Sequence, residues 1–92
     1  MKIEIYGKKN CPLCDAARRI VGEEMGFAYH YRDLATAEGL TEYCYNGYDV
    51  KYQMAYPVIV VEGKDFRVIG EAVRYLKDSR TEAESTAAET PV

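Results

Sequence analysis

The chain has 92 residues, 48% of them hydrophobic and 29% charged, with a net charge of -3. That length suits one domain, and the absence of a basic stripe argues against nucleic acid as the main partner. No apolar run approaches the roughly 18 residues a membrane helix requires, and "MKIEIYGKKN" carries no apolar signal core, so a cytoplasmic protein is expected; a monomer is expected as well.

In chain order, "KIEIYG" alternates Ile3 and Ile5 with Lys2 and Glu4 and stops at Gly7, which predicts a first strand. From Cys11 the period changes: Leu13, Ala16, Ala17 and Ile20 fall on one helical face. Asn10 or Cys11 is placed to cap that helix and Pro12 suits its first turn. Gly22 weakens it and Gly26 is its stop. "FAYHYRDL" predicts a second strand, with Phe27, Tyr29 and Tyr31 on one face and His30 on the other, at the surface. A second helix is predicted from Thr36 to about Asn46, with Leu40, Tyr43 and Cys44 as its apolar side. Gly39 sits awkwardly inside it.

"YDVKYQMA" reads as a connection. "YPVIVVEG" is the strongest strand, its β-branched run being of the kind buried on both faces. "EGKD" is a turn, "FRVIG" a fourth strand, and "EAVRYLKD" a helix with Ala72, Val73 and Leu76 inward. The segment 81–92, rich in Ala, Glu, Thr and Ser, is expected to be a disordered tail, leaving a domain over 1–80. The order β-α-β-α-β-β-α predicts an α/β fold. A right-handed crossover makes the first two strands parallel, and the tight turn makes the last two an antiparallel hairpin. The sheet is then mixed and four-stranded, flanked by helices.

The chemistry centres on "KKNCPLCDAARR". An odd total of three cysteines in a reducing compartment points to catalytic or metal-binding thiols rather than a disulfide framework. A thiolate at a helix N-terminus faces unpaired N–H groups and the positive end of the macrodipole, and such sites bring a thiol pKa from about 8.5 down to roughly 4–7. Cys11, at the cap, receives most of this effect and is the expected nucleophile. Cys14, one turn in, is the expected resolving thiol. Half a zinc site is the competing reading, with Cys44, His30 or carboxylates as further ligands; two inert structural cysteines are another. Cys44 reads as a small core residue, with a third redox thiol as the alternative. Pro57 opens a central strand, where proline is unwelcome; it is either a trans proline that starts the strand or, as expected here, part of a cis Tyr56–Pro57 bond that turns the backbone of Tyr56 toward Cys11. The nine tyrosines read mostly as packing, some as an aromatic rim for a substrate. Glu71 reads as a helix-dipole partner or as a contact for a ligand amine.

With these residues in place, "IEIYGKKNCPLC", "AYPVIVVEG" and "RVIGEAVRYL" resemble, in that order, the glutaredoxins of the thioredoxin-like superfamily over about residues 1–79. The resemblance implies a thiol–disulfide oxidoreductase linked to glutathione or to thioredoxin reductase. Cys11 matches the nucleophile, Cys14 the resolving thiol, and Pro57 the cis-proline whose preceding residue pairs its backbone with substrate. Lys8 or Lys9 matches the basic residue that meets a glutathione carboxylate. Pro12, Leu13, Tyr56, Gly70 and Glu71 complete the implied binding surface. Leu13 stands where the family often has Tyr, Ala55-Tyr56 where it has Thr-Val, and Gly70-Glu71 where it has Gly-Gly and an acid. The ribonucleotide reductase hydrogen-donor branch is the rival within the family, although its Trp-Ser-Gly-Phe-Arg-Pro segment is absent. No tightly bound cofactor is implied, with glutathione as co-substrate and disulfide-containing proteins as partners. The rival from another class is a thioredoxin-fold module that holds a metal or an iron–sulfur cluster.

Overall fold

The computed structural model describes residues 1–89. Its four strands are β1 (Ile3–Gly7), β2 (His30–Asp33), β3 (Val58–Val61) and β4 (Lys64–Phe66). They form one sheet in the order β2-β1-β3-β4. β1 pairs parallel with β2, with Ile5 opposite Tyr31, and antiparallel with β3, with Ile5 opposite Ile59. β3 and β4 are an antiparallel hairpin. Glu62 and Gly63 form its turn, both at positive φ, the geometry that follows the twist of a two-residue hairpin. The expected mixed four-stranded sheet is therefore present. The β-branched run of β3 is buried throughout, as its central place requires.

A core lies on each face of the sheet. On one side, Ile3, Ile5, Ile59 and Val61 pack with Ala17, Val21, Phe66, Ala72 and Leu76 under α1 (Pro12–Arg18) and α4 (Ile69–Glu89). On the other, Tyr6, Val58 and Val60 pack with Leu34, Tyr43 and Tyr48 under α2 (Ala37–Tyr45) and α3 (Tyr48–Lys51). Tyr6, Tyr43 and Tyr48 meet edge to face, with ring centroids 5.7 to 5.9 Å apart, the arrangement that aromatic quadrupoles favour. Much of the tyrosine richness is thus core. α3 is an addition to the sequence reading, which treated that segment as a connection.

Several expectations are corrected. The buried face of α1 is Cys14 and Ala17, continued by Val21; Leu13 is 55% exposed. After α1 the chain widens into a π-helical turn over Arg19–Glu24, in which Met25 N–H donates to Ile20. Gly22 lies there against the Tyr29 ring, so closely that a Cβ would stand 2.8 Å from it. On α2 the buried residues are Gly39 and Tyr43, whereas Cys44 is exposed and Leu40 is at the surface. Tyr43 fills the space and Cys44 is carried a further 100° or so around the helix. β4 begins at Lys64 and ends at Phe66, and α4 starts at Ile69, so Arg67 and Val68 belong to a bend and not to a strand.

α4 runs on to Glu89, through most of the segment read from the sequence as a tail. Ala and Glu are strong helix formers, and they extend a helix already nucleated by packing at Ala72 and Leu76. The remaining tail residues, 90–92, lie outside the described residues.

Candidate active site

β1 delivers the chain to the site. Gly7 ends the strand directly beneath Cys14, and a Cβ there would stand 3.0 Å from the Cys14 sulfur and 3.1 Å from the Tyr31 hydroxyl. A side chain at this position would crowd the sulfur, so the strand ends in glycine. Asn10 then takes a positive φ of 58, a conformation its short amide side chain tolerates. Cys11 follows as the N-cap of α1, in extended geometry, with Pro12 at the helix start. The cap itself is a sulfur: the Cys14 backbone N–H donates to Cys11 Sγ over 3.1 Å. Cys11 and Cys14 are joined as a disulfide with Cα atoms 5.2 Å apart. Cys11 is half-buried and Cys14 is fully buried.

The Tyr56–Pro57 bond is cis, as expected. Two side chains grip the segment around it. The Tyr43 hydroxyl donates to the Ala55 carbonyl over 2.6 Å, and Arg67 Nη1 donates to the Pro57 carbonyl over 3.4 Å. Burial pushes the Tyr43 phenol up from its ordinary value, with the nearby Arg67 charge opposing. Lys8 Nζ lies over the Tyr56 ring, 5.4 Å from its centroid, so the loop before the cysteines touches the residue before the proline.

A groove of about 340 Å³ runs beside the first turn of α1, lined by Leu13, Pro57, Arg67, Val68, Ile69 and Gly70. Of the expected site residues, Leu13, Pro57 and Gly70 line this groove, while Lys8 and Tyr56 stand against each other beside it. Lys9 and Pro12 are exposed near the pair. Glu71 is not at the groove. It lines a separate depression with Lys64, Phe66, Arg74, Tyr75 and Asp78. Arg67, Val68 and Ile69 also line the groove, which the sequence did not suggest, because reading "FRVIG" as strand hid the bend that exposes them. A charged residue directly after a three-residue strand was the available signal.

Cys44, the third thiol, is exposed and unpaired. Its pKa is raised, by desolvation first and then by the Asp49 carboxylate, which leaves less thiolate for reaction. Among the described residues, no three His, Cys, Asp or Glu side chains gather in a way that could hold a metal ion.

A crystal structure of a mutant thioredoxin-like protein, BC3987, superposes on this chain with a TM-score of 0.66, covering 80% of it and 97% of that protein at 22% identity. At that identity the likeness carries the fold, which is thioredoxin-like. No curated protein matches the sequence. Residues 2–88 match the family described as Glutaredoxin-like domain (DUF836), a span that passes the boundary expected at 80. With that match over nearly the whole chain, it belongs to the glutaredoxin-like domain family.

Proposed function

We propose that this chain is a dithiol oxidoreductase that reduces disulfides through Cys11 and Cys14. The observation that carries the reading is the sulfur cap. In the reduced protein the Cys14 N–H directed at Cys11 Sγ would stabilise negative charge on that sulfur, and so would the start of the helix. Half-exposure leaves Cys11 open to attack a substrate, while Cys14 is fully buried behind it.

The reaction runs in two exchanges. The Cys11 thiolate attacks one substrate sulfur, so that a Cys11–substrate bond forms as the substrate S–S bond breaks, and the departing thiolate takes a proton from water. Cys14 then gives up its proton and attacks Cys11 Sγ, which releases the second substrate thiol and leaves the Cys11–Cys14 disulfide. Two electrons pass to substrate, and an external thiol or dithiol returns them. No glycine-rich dinucleotide loop is present in the sequence, so hydride chemistry falls to a separate reductase. In this reading the protein works as a monomer in the cytoplasm.

Two reductants compete. Glutathione is the donor that a glutaredoxin-like site suggests, with Lys8 or Lys9 for its carboxylate. A thioredoxin reductase, supplying a hydrogen donor of the ribonucleotide reductase type, is favoured by the position of Glu71, which leaves the amine of glutathione without an acidic partner at the groove. The test re-reduces the oxidised protein with glutathione, or with NADPH and thioredoxin reductase, while turnover of a protein disulfide is followed. Cys11→Ser should abolish turnover with either donor. Full activity in that variant would sink the assignment.

A further inference from the structure

The groove beside the first turn of α1 has a largely apolar lining. Leu13 and Val68 are each 55% exposed, and Pro57 and Ile69 continue the apolar surface between them. Arg67 is the charged residue of that lining, and no acidic side chain joins it. One arm of its guanidinium is held by the Pro57 carbonyl. Among residues 1–80, whose side chains are described, no carboxylate pairs with it. An arginine carries five donors in a planar fork suited to a carboxylate, and a half-buried cation with spare donors gains from an anionic partner. Lys8, over the Tyr56 ring, adds positive potential on the neighbouring side of Pro57, in a chain that is acidic overall.

We propose that this groove docks a peptide segment whose disulfide cysteine is flanked by an apolar residue and an acidic one, and that Arg67 is the specificity-determining residue. The apolar residue covers Leu13 and Val68; the carboxylate pairs with Arg67. The inference rests on the disulfide reductase reading and names the class of substrate it serves. Glutathione is the poorer occupant. Its ammonium finds no acidic side chain in the lining, and Glu71 lies in another depression beside Lys64 and Arg74.

The test uses the full chain and three synthetic peptides that differ only in the residue after a leucine–cysteine pair: glutamate, glutamine or lysine. Each cysteine is capped as a mixed disulfide with 2-mercaptoethanol, and glutathione mixed disulfide of the glutamine peptide serves as a fourth substrate. The wild-type kcat/KM should favour glutamate over glutamine by about tenfold, the scale of a hydrogen bond to a charged group, with most of the difference in KM. Lysine should be the poorest, and the preference should shrink at high salt. Arg67→Gln should bring the glutamate-to-glutamine ratio to about one, and Arg67→Lys should keep part of it. A wild-type ratio near one overturns the proposal, as does a ratio that survives Arg67→Gln. So does an Arg67→Gln loss seen with the glutathione substrate but not among the peptides. If Arg67→Gln fails to fold, the wild-type ratio and its salt dependence decide the matter. Peptides all reduced alike, with Cys11→Ser inactive, would remove the role of Arg67 while leaving the reductase reading intact. Peptides left unreduced by the wild type would end both.

Discussion

At the scale of single residues, what matters most is which atoms stand close to the chain's tight corners. Gly39 is inside α2, where glycine costs a helix about 1 kcal/mol relative to alanine. It is there because a Cβ would run into the backbone carbonyl of Asp33, which cannot swing aside as a side-chain tip can. Gly39→Ala should therefore destabilise the fold by about 1–3 kcal/mol despite the gain in helix propensity, as urea denaturation would register. Any rise in stability would mean that α2 does not pack so close to β2. Tyr43 makes the matching point with a polar group. It is fully buried, and its hydroxyl donates to the Ala55 carbonyl two residues before Pro57. Tyr43→Phe keeps the ring and loses the bond, at an expected cost of about 1–2 kcal/mol in the same measurement. An unchanged midpoint would show that water replaces the hydroxyl there.

At the scale of elements, the strands were legible and the faces of the helices less so. β1 and β3 were evident because alternation and a β-branched run leave few other options. α1 was placed correctly at its cap but turned by one residue. The apolar pattern passes over Cys14, whereas cysteine packs like a small hydrophobe and here heads the stripe that Ala17 and Val21 continue. The consequence is measurable. Leu13→Ala should cost only a few tenths of a kcal/mol in stability, and Val21→Ala about 1–3 kcal/mol. Equal losses would restore the original face. Arg67 and Val68 were hidden for a different reason: three residues of β4 carry too little periodicity to mark where a strand ends. The pairing of Cys11 with Cys14 and the cis bond before Pro57 were legible. The lining of the groove was not, because it depends on a bend that tertiary packing sets.

At the scale of the whole molecule, two apolar layers sandwich the sheet, and one of them is built largely of tyrosine. Tyr6 is pushed up to about 12, by burial first and then by the Glu4 carboxylate. Tyr43, Tyr48 and Tyr52 are also raised, burial being the largest cause for each. An unfolded tyrosine ionises near about 10, so the unfolded chain releases these protons first. Their contribution to stability is whole below that pH and is lost as pH rises through the native values. The urea midpoint should stay level to about pH 9 and fall steeply over about 10–12, with tyrosinate absorbance appearing as the fold is lost. Tyrosinate forming in a fully folded protein would contradict this. All of this scaffold serves to hold one half-open sulfur over one closed one. The most direct test of that division is to mix reduced Cys14→Ser protein with a peptide disulfide and locate the adduct by mass spectrometry. The account predicts a single stable peptide adduct at Cys11 and none at Cys44. An adduct at Cys44 alone, or no adduct at all, would contradict it.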